Sequence, residues 1–192
     1  MMSAGNLEAA WSQWDGPGLE HLRLRSGESG VEADGVVVGE EDGTCFRARY
    51  IIHCNPRWRT RELIVDPLNG SDPLRLNSDG EGDWRDASGR ALPELRGCID
   101  VDLSVTPFTN TLPIRRLDLR EGESSEIAVV YVNVPVMELG TSRQRYTCLE
   151  RSPGGGLYRY EDEGLFRGFT ADLPVDGDGL VLDYPGIFRR MS

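Results

Sequence analysis

Thr44-Cys45-Phe46-Arg47-Ala48-Arg49-Tyr50-Ile51-Ile52-His53-Cys54 is the stretch that decides the fold. Phe46, Ala48, Tyr50, Ile52 and Cys54 share one side of an extended chain, while Arg47, Arg49, Ile51 and His53 share the other. That period of two is the pattern of a β-strand with one face buried. The same alternation recurs on both sides of it. Ile99, Val101 and Leu103 oppose Asp100, Asp102 and Ser104, and the β-branched run 126–134 reads as a central strand covered on both faces. Shorter strands are expected at 22–25, 36–38, 61–65, 74–76, 114–119, 143–149, 157–161, 166–173 and 180–184. Asp42-Gly43, Asp79-Gly80, Ser88-Gly89 and Asp176-Gly177-Asp178-Gly179 supply turn residues that tolerate positive φ. Helical signals are few. Leu7, Ala10, Trp11 and Trp14 have helical spacing before Gly16-Pro17-Gly18, and one turn is expected after Thr106, with Thr106 as N-cap, Pro107 first and Pro113 as the stop. The expected fold is mainly antiparallel β.

A chain of 192 residues is ample for one core, so residues 1–192 read as a single compact unit. A loose echo divides it into similar halves near 1–105 and 106–192. Tyr50 to Cys54, Pro56 and Arg59-Thr60-Arg61 correspond to Tyr131 to Val134, Pro135 and Arg143-Gln144-Arg145. All 21 positive side chains are arginine, against 32 acidic ones, for a net charge of −11. Such a field repels polyanions, which argues against nucleic acid as a partner. No apolar run approaches the roughly 20 residues of a spanning helix, and the N-terminal residues lack the basic and apolar parts of a secretory signal. A cytoplasmic location is expected. Cys45, Cys54, Cys98 and Cys148 form no C-x-x-C pair and are expected as free, buried thiols.

Candidate chemistry is sparse. With only His21 and His53, zinc sites and catalytic triads lack ligands and bases, and no metal or cofactor is expected. Asn77-Ser78-Asp79-Gly80-Glu81-Gly82-Asp83 begins like a calcium loop but has Ser88 where a bidentate glutamate belongs, so a hairpin turn is expected. Gly154-Gly155-Gly156 precedes a strand and reads as a hairpin loop rather than a phosphate cradle. Asp100 and Asp102, two apart on a strand, emerge on one face roughly 7 Å apart, the one carboxylate pair suited to acid–base work. Arginines align as Arg47 and Arg49, Arg59 and Arg61, Arg143 and Arg145, with Arg115 and Arg116 after a proline. Tyr50, Trp58, Trp84 and Tyr146 lie near them in sequence. Guanidinium forks beside aromatic rings suit a phosphate, a carboxylate or sugar hydroxyls.

Gly97-Cys98-Ile99-Asp100-Val101-Asp102-Leu103-Ser104, followed by Thr106-Pro107-Phe108-Thr109-Asn110-Thr111-Leu112-Pro113-Ile114-Arg115-Arg116-Leu117, closely resembles the signature of the bacterial "putative glycolipid-binding" family, formerly a domain of unknown function. Gly18-Leu19-Glu20, Trp58-Arg59-Thr60-Arg61, Gln144-Arg145-Tyr146 and Leu180-Val181-Leu182-Asp183-Tyr184-Pro185-Gly186 extend the resemblance over nearly the whole chain. It implies curved antiparallel sheets or a half-barrel with two similar β-rich halves, like lipoprotein carriers, and it turns the segment around Trp11 and Trp14 into a first strand. The function expected from it is non-enzymatic binding of a glycolipid or other amphipathic ligand. An apolar concavity would take the chain. Arg47, Arg49, Tyr50, Trp58, Arg59, Arg61, Trp84, Asn110, Arg115, Arg145 and Tyr146 are the candidates for the polar head. The alternatives are an enzyme acting on a glycosyl- or phosphoryl-bearing lipid through Asp100 and Asp102, and a protein-interaction scaffold.

Overall fold

A computed structural model describes residues 5–41 and 43–191. The alternating stretch forms β4 (Thr44–Cys54), whose inner side chains Ala48, Tyr50, Ile52 and Cys54 are buried. It lies in an antiparallel meander of β1 (Gly5–Gln13), β2 (Leu19–Gly27), β3 (Gly30–Glu41), β4, β5 (Thr60–Asp66), β6 (Leu74–Ser78) and β7 (Trp84–Asp86), in that spatial order. The helical spacing of Leu7 to Trp14 yields to strand pairing: Leu7, Ala9 and Trp11 lie opposite Leu24, Leu22 and Glu20, and the buried Trp11 indole N–H donates to the Val181 carbonyl at 2.7 Å. The Asp42-Gly43 turn lies partly outside the described residues. Those at Gly80, Gly89 and Gly179 carry the expected positive φ.

The chain then enters a second sheet through β8 (Asp100–Leu103), which pairs in parallel with β9 (Ser124–Asn133). A parallel pair needs a crossover. Here it is a 3₁₀ turn, Pro107–Asn110, running directly into helix α1 (Thr111–Leu117). Thr106 caps the turn, its hydroxyl accepting from the Phe108 N–H at 3.0 Å. The strand expected at 114–119 is therefore helix. Pro113 does not stop it, because a first-turn residue has no intrahelical acceptor for its N–H to lose. The helix ends instead at Asp118, in the left-handed region at φ 49°. Antiparallel β10 (Glu138–Ser152), β11 (Gly155–Asp162) and β12 (Thr170–Asp176) complete the sheet in the order β12-β11-β10-β9-β8. In β9, Val129, Val130 and Val132 are buried on both faces. The strand expected from 166 begins only at Thr170, and that expected at 180–184 shrinks to β13 (Asp183–Tyr184). β13 and β14 (Phe188–Arg190) form a hairpin that returns to the first sheet, where β14 pairs with β1 and β13 lies at the edge.

The fold is thus mostly antiparallel β, in two open sheets neither of which closes into a barrel. The first apolar cluster joins Trp11, Tyr50, Leu63 and Trp84 to Val101, Phe108, Leu112 and Val130. A second gathers Ile114, Tyr146, Tyr160, Leu173, Tyr184 and Phe188. The segment 106–117 therefore touches both. Among the described residues, no helix is long and apolar enough to cross a membrane.

Candidate functional site

Where β8, the capped turn, β9, β11 and the β13–β14 hairpin converge, they leave a cavity of about 310 Å³. Its walls are aromatic: Tyr131, Tyr160, Phe166, Phe169, Tyr184 and Phe188, with Asp102, Ser104, Thr106 and Asn110 as polar groups. The rings touch in steeply inclined pairs, Tyr131 with Phe166 at 5.9 Å and Tyr160 with Tyr184 at 6.2 Å, both at 68°. Phe166 and Leu165 are more than half exposed at the rim, yet their loop is fixed. The buried Asp162 carboxylate accepts from the N–H groups of Gly164 and Phe166 at 2.8 and 2.9 Å, and the Leu165 N–H donates to the Ser142 hydroxyl at 3.2 Å. Residue 164 must be glycine for this, since a Cβ there would lie 2.5 Å from that hydroxyl oxygen.

Asp102 is held at the cavity wall by neutral donors, the Thr109 hydroxyl at 3.0 Å and the Gln144 amide at 2.7 Å. Burial pushes its carboxyl above the usual range, those two hydrogen bonds pull it back, and the charge of Asp162 raises it further. Asp100 has a different fate: the Arg116 guanidinium grips it through Nε at 2.9 Å and Nη2 at 2.5 Å. Burial raises the Asp100 carboxyl, and Arg116 opposes the rise. The two aspartates are thus bound to different partners, and of the two Asp102 alone lines the aromatic cavity.

Behind Thr106 lies a group that the sequence reading overlooked. Glu20 is 2% exposed, and its Oε1 accepts from the Tyr50 and Thr106 hydroxyls. Its Oε2 is buried without a partner, and burial pushes the carboxyl up to about 7. On the other side of the same segment is a groove of about 720 Å³ bordered by Trp58, Ile114, Arg115, Tyr158 and Gly179. The Arg115 guanidinium lies 5.3 Å from the Trp58 ring centroid. Trp58 itself sits in the left-handed region at φ 60°, its N–H donating to the Asn55 carbonyl at 2.9 Å. Gly179 makes room for Arg115, because a Cβ there would come within 2.8 Å of the arginine Cδ.

The candidates for the polar head are dispersed. Trp58 and Arg115 meet, and the Tyr146 hydroxyl donates to Asn110 Oδ1 at 2.8 Å. Tyr50 and Trp84 face the core, Trp84 donating to the Cys98 carbonyl. Arg47 donates to the Leu68 carbonyl and Arg49 grips Asp34. Arg59 reaches Gly80 and Glu81, Arg61 the Asp79 carbonyl, and Arg145 both Glu126 and Glu163. The aligned arginines therefore form a lattice with neighbouring acceptors, while the cavity is lined by rings that the sequence reading did not single out. One trace of them was visible: five of the six tyrosines lie between residues 131 and 184.

The family model described as "putative glycolipid-binding" matches residues 8–190. The chain belongs to this family. A solved structure similar to it, a DUF1089 family protein from Pseudomonas aeruginosa, is 38% identical, covers 93% of this chain and 95% of its own, and superposes with a TM-score of 0.79. No curated protein matches. The signature segment of the chain, 106–117, borders both cavities, through Thr106 and Asn110 on one side and Ile114 and Arg115 on the other, as does β11 through Tyr160 and Tyr158.

Proposed function

We propose that the protein binds an amphipathic small molecule, a glycolipid or acyl conjugate, whose compact end seats in the aromatic cavity beneath Phe166. The observation that carries this reading is the pairing of an aromatic wall with a few converging polar groups, Asp102, Thr106 and Asn110, the usual make-up of a ligand pocket. At about 310 Å³ the cavity stands at the low end of such sites, so an apolar tail continues outward over Leu165 and Phe166. Each methylene buried there adds about 0.8 kcal/mol before ordering costs. The family description supports binding at this coarse level. An acid–base pair from Asp100 and Asp102 is the weaker reading, since Arg116 occupies the first carboxylate.

Native mass spectrometry of protein purified without detergent should reveal a co-purified amphiphile. Stripped protein should rebind decyl glucoside, with chemical-shift changes centred on Tyr131 and Phe166. Rebinding that leaves those rings unmoved, or no binding at millimolar concentration, overturns the proposal.

A further inference from the structure

Aromatic rings and the Asp102 carboxyl line the cavity together, and among the described residues no cationic side chain does. We infer that the head group selected by the aromatic cavity is an organic cation, a quaternary ammonium or an amine, carried on the apolar body of the ligand. The inference rests on the binding reading above and narrows it to a charge class.

In a chain with 21 arginines, none lines this cavity, nor does either histidine. Asp102 contributes a carboxylate whose partners are the uncharged Thr109 and Gln144. The contrast with Asp100 is direct: one buried aspartate has its arginine, while the other faces a cavity with neutral donors behind it. A second buried carboxylate, Asp162, lies close behind Tyr160, accepting from its hydroxyl at 3.1 Å. Its other partners are the Ser142 hydroxyl and backbone N–H groups. A carboxyl without a cationic partner in a weakly polarisable interior gains its counter-charge when a cation enters, and disfavours an anion. The walls act in the same sense. Tyr131, Phe166, Tyr160, Tyr184 and Phe188 present π-systems whose negative faces favour a cation within about 6 Å of the ring centre. Their inclined packing turns several rings around one space rather than stacking them flat. The overall charge of −11 also draws cations toward the mouth and slows the approach of anions. Phosphate, sulfate or carboxylate heads are therefore the ones this cavity rejects.

Three amphiphiles with one decyl chain separate the possibilities: decyltrimethylammonium, decyl glucoside and decyl sulfate, titrated below their micellar concentrations into the full chain by calorimetry at physiological salt. The expected order is ammonium tightest, by about tenfold over glucoside, with sulfate weakest. Asp102→Asn should bring ammonium within about threefold of glucoside, because the ammonium loses far more affinity than the neutral head does. Phe166→Leu alters only an exposed ring, so folding is not at stake. It should weaken ammonium binding several-fold more than glucoside binding, because leucine keeps apolar area but has no π-face. Glucoside equal to or tighter than ammonium overturns the cation assignment and leaves the amphiphile reading standing. A preference for ammonium that survives both substitutions traces to the general negative field and also overturns it. Failure of all three probes to bind removes both proposals.

Discussion

Replacing Glu20 by glutamine takes one proton out of the folding equilibrium. The Glu20 carboxyl is held by Tyr50 from β4 and Thr106 ahead of the helical crossover, with Arg190 of β14 as the nearby charge, and burial raises it from 4.5 to about 7. Between those values the native state keeps a proton that the unfolded chain has lost. Stability therefore falls as pH rises through the window. A displacement from 4.5 to about 7, at ~1.4 kcal/mol per unit, amounts to roughly 3 kcal/mol lost once pH exceeds 7. Tyr50 is pushed well above its ordinary value and stays protonated throughout, and an arginine stays charged. Urea unfolding of wild type and Glu20→Gln from about pH 5 to 8 reads the effect. Wild-type stability relative to the variant should drop by roughly 2–3 kcal/mol across that range. The constant offset between the two carries the cost of burying an extra amide N–H, so the slope isolates the proton. A difference that stays flat, or that grows with pH, refutes the reasoning.

Arg116→Gln should destabilise by about 3–5 kcal/mol, because it leaves the fully buried Asp100 without its counter-charge; a loss below about 1 kcal/mol in chemical denaturation would mean that the pair is dispensable. Gly179→Ala should cost about 1–2 kcal/mol for its φ of 81°, and the displaced Arg115 should change the fluorescence of Trp58; an unchanged spectrum with full stability counts against the contact. Cys45 is exposed, contrary to the expectation of four buried thiols, whereas Cys54 and Cys98 are buried and pushed up to about 12 and about 11. A disulfide-exchange reagent should therefore titrate one thiol in the native protein and four after unfolding without reductant, and a denatured count of two or none would contradict free cysteines.

The strands were legible wherever one face was buried and the other wet. Alternation located β4 to the residue, and Thr106 announced its own cap through a proline in the next position. The helix was hidden because Ile114-Arg115-Arg116-Leu117-Asp118-Leu119 satisfies a strand pattern about as well as a single helical turn, and Pro113 looked like a terminator. The parallel pairing of β8 with β9 followed from that helix and was lost with it. The cavity left even less of a signal. Tyr131, Phe166 and the paired Tyr184 and Phe188 come from three stretches far apart in sequence, none of which says anything about the others. Glu20 shares a strand face with the buried Leu22 and Leu24, so alternation points it inward, but an acid at the end of that row gives no sign of the hydroxyls that receive it.

The pairing of β1 with β14 has a consequence for how the chain is made. Trp11 and its acceptor Val181 are separated by 170 residues, so a ribosome releases the first long before the second exists. Throughout synthesis, the outer rung of β1 remains an open template and a buried-to-be indole N–H has no carbonyl to meet. Loop closure over such a span is slow, and an open strand edge recruits other chains meanwhile. Nascent chains stalled before the final hairpin should therefore associate with holding chaperones, and release of the last strand should be the step that frees them.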